Sequence, residues 1–460
     1  MQQLGPLDAI FLSIETAETP THIGGLALLD PSTGNDFGFD RFRAFVGERL
    51  RLCPRFGWKL QEVPFGMDLP YWVEDGELEL ERHVHKAAVP QPGGTQEVAD
   101  LVGYLFARPL HRDRPLWEMF YIEGLQGGRV AMLWKVSHAL MDGVSGAGLV
   151  DLLFDIEPEP AAQPLVPTDA DARAGRKARL GEMLRQSTRN SFKRPGALGR
   201  HVRKAVKSAI DERRSGESSV PVETPRVSFN GNVGPRRAVA WTTISLEEVK
   251  AAKNALGASV NDVVLGVTGG ALRRYLEHND ELPETPLTAM VPISTRDEGD
   301  KSLGNQIIDM PVTWATDVAD PVARLRVIQR ATKKLKERKK NPGGEMIPML
   351  AEGFTPALTN LFIRAACASQ ESTPLVGSAV VSNVPCSPVP LFIAGARITG
   401  MVPMSVLAPT QGLNITVLSY CGDLHFGITV DPELVPEPWL ITDGIPKALL
   451  ELQESISRRG

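Results

Sequence analysis

The chain of 460 residues holds only four cysteines, Cys53, Cys367, Cys386 and Cys421, far apart and with no Cys-x-x-Cys pair. That spacing offers neither a disulfide framework nor a thiolate zinc site, and it suits a reducing cytoplasm. His138 and Asp142 stand four apart, but no His-Glu-x-x-His and no third ligand accompany them, so no metal site is expected. Long apolar runs are missing too: no window reaches the roughly 18 uninterrupted apolar residues of a membrane-spanning helix. The start, Met1-Gln2-Gln3-Leu4-Gly5-Pro6, lacks the basic stretch and apolar run of a signal peptide. Neither a P-loop nor a dinucleotide fingerprint occurs. With a formal charge of −5, the chain as a whole is no polyanion binder.

What is present is an ordinary globular composition, long enough for two to four domains at roughly 100–200 residues each. Two structured parts flank a segment of different character. In the first, residues 1–160, strand-like runs (Ile23–Leu29, Trp117–Glu123, Val130–Val136) alternate with helical patterns (Phe39–Leu52, Glu97–Phe106). The last part, 228–460, repeats the mixture, with a long helix pattern from Asn261 and strand runs at Leu287–Ile293, Ile307–Thr313, Ser378–Val384, Leu413–Tyr420 and Leu424–Val430. Interleaved strands and helices indicate an α/β or α+β layered fold.

Between them, residues 161–227 form a linker, expected to be partly helical. From Arg173 to Lys207 it carries twelve Lys or Arg against Glu182 alone. It reads as a solvated linker or as a peripheral contact with anionic lipid. Nucleic acid is the poorer reading, because Phe192 is the one aromatic in that tract.

The segment richest in chemistry is Arg129-Val-Ala-Met-Leu-Trp-Lys-Val-Ser-His138-Ala-Leu-Met-Asp142-Gly143. Val130–Val136 is apolar apart from Lys135 and reads as a buried strand. Val144, Ala147, Val150 and Phe154 follow at helical spacing. His138 therefore falls at a strand end and Asp142 at a helix start. A neutral imidazole there can remove a proton from an attacking hydroxyl, work worth typically 10²–10⁴-fold. The plainer readings are a satisfied half-buried histidine and, for Asp142, a helix N-cap. Gly143-Val-Ser-Gly-Ala147 has alanine where a nucleophile elbow needs its second glycine.

Several short motifs recur in a familiar order. They are Pro6-Leu7-Asp8-Ala9, His22 with Gly24-Gly25, Arg114-Pro115-Leu116-Trp117, Asn261-Asp262-Val263-Val264, Val291-Pro-Ile-Ser-Thr-Arg296, Gly304-Asn305, Ser382-Asn383-Val384-Pro385 and Gly412-Leu413-Asn414-Ile415. With these the chain resembles, nearly end to end, the bacterial wax ester synthase/diacylglycerol acyltransferase family of coenzyme A-dependent acyltransferases that carry HHxxxDG.

The resemblance implies two chloramphenicol acetyltransferase-like domains, each a mixed sheet flanked by helices, with a channel between them. It implies His138 as the base, with acyl-CoA as cosubstrate and no cofactor. Asp142 shapes the loop, Arg296 is a candidate partner for it, and Gly143 is expected at the substrate channel. Asn261, Asp262, Ser382 and Asn383 are expected near the channel, Asn261 as an oxyanion donor candidate. The acceptor is diacylglycerol, the commoner role among such relatives, or a long-chain alcohol. Acylation of another lipid or polyketide alcohol, and a lipid-binding relative with weak catalysis, stay open. The expected place is the cytoplasm, at the inner membrane face or a lipid-droplet surface.

Two departures stand out. Ser137 replaces the first histidine of the pair and, as a neighbour of His138 on extended chain, is expected to point away from the acceptor. Cys386 stands where the family usually has glycine, which matters only if that position needs a positive φ.

Overall fold

The computed structural model describes residues 2–34, 36–76, 78–141, 146–159, 181–191, 196, 203, 224–294, 307–338, 355–359, 361, 375 and 377–459. The first part runs β1 (Gln2–Gln3), α1 (Pro6–Ile14), β2 (His22–Asp30), α2 (Phe39–Leu50), β3 (Trp58–Gln61), β4 (Tyr71–Glu74) and β5 (Val84–Ala88). It continues with α3 (Thr95–Ala107), β6 (Trp117–Glu123), β7 (Val130–Ser137), α4 (His138–Met141) and α5 (Gly146–Leu153). The last part holds β8 (Ala238–Ser245), α6 (Leu246–Leu256), α7 (Val260–His278), β9 (Thr288–Ser294), β10 (Ile307–Thr313) and α8 (Pro321–Arg338). It ends with β11 (Ala379–Pro385), β12 (Phe392–Ile393), β13 (Ala396–Met404), β14 (Leu413–Tyr420), β15 (Asp423–Val430) and α9 (Pro438–Ser457).

These elements form two six-stranded mixed sheets and one small sheet. The first large sheet has the order β12-β13-β2-β7-β6-β5, the second β10-β9-β11-β14-β15-β8. Residues 392–404 thus leave the last part of the chain and complete the sheet of the first. β13 lies antiparallel to β2, from Arg397 opposite Asp30 to Met404 opposite Gly24. The two parts are therefore joined by shared backbone hydrogen bonds as well as by the linker.

The first sheet is buried on both faces, which explains why β7 reads as a nearly unbroken apolar run. Ala27, Leu29, Met132 and Met401 face one core, with side chains of α2 and α5. Leu26, Leu133, Val402 and Met404 face the other, filled from α3 by Val98, Val102, Leu105 and Phe106 and from β8 by Val239. β2 approaches β7 through Gly24 and Gly25, where an added Cβ would collide with the carbonyl and the ring of Trp134. The second sheet is covered by α6, α7, α8 and α9 around Phe426, Ile428, Ile415 and Trp314.

The small sheet has the order β1-β4-β3. Within 161–227, residues 181–191 are helical and pack on this sheet, placing Met183 among Val63, Tyr71 and Val73. Most of the basic tract lies outside the described residues. Among those described, no single helix is long and apolar enough to cross a membrane.

Candidate active site

β7 ends where its last residue turns the chain into α4. Ser137 is buried, its backbone N–H donates to Leu116 O at 2.9 Å, and its hydroxyl accepts from the Ala139 N–H at 3.3 Å. The hydroxyl serves the first turn of α4, as an N-terminal Ser does. Ser137 is therefore turned inward, along the chain.

His138 follows, its backbone N–H donating to Thr21 O at 3.1 Å. Phe11 of α1 lies flat on the imidazole, with ring centroids 3.8 Å apart and planes 7° from parallel. The residue keeps part of its surface open, yet the packing around the ring is dense enough to desolvate the charged form. Burial pushes its pKa down to about 4, against a weaker opposing hydrogen bond to its own backbone. Near pH 7 the ring is neutral, as a proton acceptor must be.

Behind it lies a buried polar group that sequence reasoning did not single out as functional. His22, opposite Ser137 in the β2–β7 ladder, is 1% exposed. Its Nε2 donates to Phe106 O at 2.6 Å, and its Nδ1 has no partner among the described residues. Burial first, then the Lys135 ammonium, lowers its pKa to about 3. Lys135, wholly buried, donates to Leu105 O at 3.1 Å and Arg108 O at 2.9 Å, and pairs with Glu118 at 3.0 Å. His22 and Lys135 thus satisfy the carbonyls that α3 leaves open at its C-terminal end. The sequence signal for this was the lone charge inside the apolar run of β7.

The Asn-Asp pair opens α7. Ser259 is the N-cap and forms a capping box with Asp262: Ser259 N–H donates to Asp262 Oδ2 at 2.8 Å, and Asp262 N–H to Ser259 Oγ at 3.2 Å. The second carboxylate oxygen of Asp262 accepts from Thr332 Oγ1 of α8 at 2.7 Å. Both oxygens of this buried residue are committed to holding helices. Asn261, next to it, is exposed and its Oδ1 accepts from Asn383 Nδ2 at 2.6 Å. The two motifs, 122 residues apart in the chain, meet through that bond. Ser382, partly buried, is paired in register with Thr416 of β14.

After Ser382-Asn383-Val384-Pro385 the chain passes Cys386, whose N–H donates to Ser419 O at 3.1 Å. Its φ is not positive, so the side chain is accommodated without strain. Cys386 packs against the same core as Val150 and Leu152 of α5, so this end of β11 and the helix after His138 share a corner. Burial raises the Cys386 thiol pKa. Asp142, Gly143 and Arg296 lie outside the described residues. Among those described, no cluster of His, Cys, Asp and Glu could hold a metal ion. A hollow of about 310 Å³ lined by Leu50, Arg51, Pro54 and Leu78 lies elsewhere, beside α2.

Comparison with known proteins places this arrangement. Residues 4–264 match the model of the wax ester synthase/diacylglycerol acyltransferase catalytic domain, and residues 303–453 match that of the family's C-terminal domain. The chain belongs to this family. A Mycobacterium tuberculosis protein named as a diacylglycerol O-acyltransferase is 33% identical over 99% of this chain and 90% of its own. A second from that organism is 34% identical over 98% and 100%. Among solved structures, the wax ester synthase/diacylglycerol acyltransferase of Marinobacter aquaeolei superposes with a TM-score of 0.70 at 27% identity, covering 99% of this chain and 100% of that one. The first condensation domain of the calcium-dependent antibiotic synthetase shares the fold alone, at a TM-score of 0.57 and 14% identity over 99% and 96%. The expected two-domain acyltransferase fold is the one found.

Proposed function

We propose that this family member moves a long-chain acyl group from acyl-CoA to the hydroxyl of diacylglycerol, and to long-chain alcohols as second acceptors, with His138 as general base. Diacylglycerol is favoured because Mycobacterium tuberculosis relatives 33% and 34% identical to this chain are named for it. The observation that carries the mechanism is the state of His138: desolvated, neutral and held by Phe11 at the end of β7.

With both substrates bound, the acceptor oxygen attacks the thioester carbonyl as His138 takes its proton. The tetrahedral intermediate collapses, the C–S bond breaks, and the imidazolium returns the proton to the coenzyme A thiolate. A lone imidazolium in this dry setting is costly, so the oxyanion formed in the same step supports it. Asn261 is our candidate donor to that oxyanion, its Oδ1 already held by Asn383.

Direct transfer is preferred to an acyl-enzyme. The Ser137 hydroxyl is turned inward onto Ala139, and burial keeps Cys386 from the thiolate form that attacks. The scheme calls for no metal or prosthetic group. Such water-poor substrates would be drawn from a lipid surface on the cytoplasmic side.

The test supplies palmitoyl-CoA with dioleoylglycerol or with hexadecanol and follows thiol release and lipid product. Wild-type turnover, lowered at least about a hundredfold in His138→Ala, is expected. Equal product from the variant would remove His138 as base. No product with either acceptor would remove the substrate reading.

A further inference from the structure

The loop joining β3 to β4 presents an unusual side chain. Phe65 is 91% exposed, and its φ of 58° places it in the left-handed region, where a residue with a bulky side chain is an outlier. An aromatic ring there gains no burial to offset the strain. The adjoining residue, Gly66, abuts Ala357, so the loop rests on the short helical stretch that begins after Thr355. In that stretch Thr359 is buried, while Leu358 and Leu361, three apart and on one face, are 53% and 65% exposed. Three large apolar side chains from segments nearly three hundred residues apart therefore collect around one loop tip.

Cationic side chains accompany them. The helix at residues 181–191 packs on the same loop, with Asn190 Nδ2 donating to Asp68 Oδ2 at 2.7 Å and Met183 packed beside Val63. Its opposite face exposes Arg185 and Arg189, four apart. They belong to the stretch in which twelve basic residues face one acidic residue, within a chain whose net charge is −5. A protruding apolar tip on a loop that also holds a cationic helix is the complement of an anionic phospholipid surface, whose headgroups take the cations and whose acyl boundary takes the ring and leucines.

We propose that Phe65, Leu358 and Leu361 insert into an anionic phospholipid bilayer, with Arg185 and Arg189 pairing with its phosphates. This names the face by which the protein meets its lipid, and it rests on the acyl-transfer reading only for why such contact is useful.

The experiment is co-sedimentation of the full chain with vesicles of phosphatidylglycerol mixed into phosphatidylcholine, beside vesicles of phosphatidylcholine alone. Wild type is expected to bind the anionic vesicles and to release them in high salt. Phe65→Asn should lower that binding at least tenfold while leaving the melting temperature unchanged or higher, because Asn tolerates the left-handed backbone. The Leu358→Ser/Leu361→Ser variant should lose binding likewise, and Arg185→Gln/Arg189→Gln should erase the preference for anionic vesicles. Thiol release with a short, water-soluble alcohol should match wild type in all three, so failed catalysis and failed docking are separable. No wild-type binding, or binding by Phe65→Asn within twofold of wild type, would overturn the proposal. So would Phe65→Asn dissolving a dimer in light scattering while leaving vesicle binding intact, since the patch would then cover a second copy.

Discussion

Phe11 stacks on His138 in van der Waals contact, its ring 3.8 Å from the imidazole and nearly parallel to it. The contact removes water from one face of the ring, and loss of water is the leading cause of the depressed pKa. Phe11→Ala should rehydrate that face and raise the pKa from about 4 toward 6.5. A general base works only when unprotonated, so activity falls as pH drops through its pKa. The acid limb of the kcat/KM profile should therefore move to higher pH in the variant. An acid limb that stays in place would show that Phe11 does not set the protonation of the base.

Asn261 and Asn383 are expected to act as one unit, because the Asn383 amide holds the Asn261 oxygen. If Asn261 stabilises the oxyanion, Asn261→Ala should lower kcat by about 10²-fold with little change in melting temperature. Asn383→Ala should lower it less, and the double variant should cost no more than Asn261→Ala alone. Fully additive losses in single-turnover measurements would separate the two residues.

How much of this was readable beforehand differs element by element. β6, β10 and β14 match the apolar runs at Trp117–Glu123, Ile307–Thr313 and Leu413–Tyr420, because alternation and β-branching are local signals. The Ser259 start of α7 was also within reach, since Ser followed three residues on by Asp is a capping pattern. β13 was not. Its place beside β2 depends on pairing between residues more than 350 positions apart, and no local period records that. At the site, the place of His138 directly after an apolar strand was legible. Phe11 was not, because a lone aromatic in an amphipathic helix looks the same whether it packs on leucine or on a base. Asp262 changed meaning: beside Asn261 it read as a channel residue, and its two oxygens prove to be spent on Ser259 and Thr332.

His22 ties stability to pH. Its folded pKa is about 3 against 6.5 for the free side chain. Between those values the unfolded chain takes up a proton that the folded protein refuses, so stability is full above pH 6.5 and is lost as pH falls toward 3. At pH 5 this one residue accounts for about 2 kcal/mol of the loss. His138 adds a contribution of the same sign. His22→Gln keeps a donor for Phe106 O and does not titrate. It should lower stability at pH 7 but flatten the decline between pH 7 and 5, as read from urea midpoints. A decline as steep as that of wild type would rule His22 out as its source.

Lys135 is wholly buried, and three acceptors share its charge: Glu118 and two carbonyls at the end of α3. Burial lowers its pKa while Glu118 opposes the shift, so the pair is stable as a pair and costly when broken. Lys135→Met leaves the Glu118 carboxylate buried without its cation and the α3 carbonyls without a donor. A loss of about 3–5 kcal/mol is expected. Lys135→Met/Glu118→Leu removes the stranded charge as well and should recover part of that loss, leaving mainly the α3 end to destabilise. Since His22 bonds Phe106 in the same helix end, the double variant should also disturb the β2–β7 ladder beside Ser137 and His138. Catalysis in the double variant should then remain below wild type even where the fold is regained. If the double variant is no more stable than Lys135→Met, the charge pair is not what holds α3, and the helix carbonyls account for the whole effect.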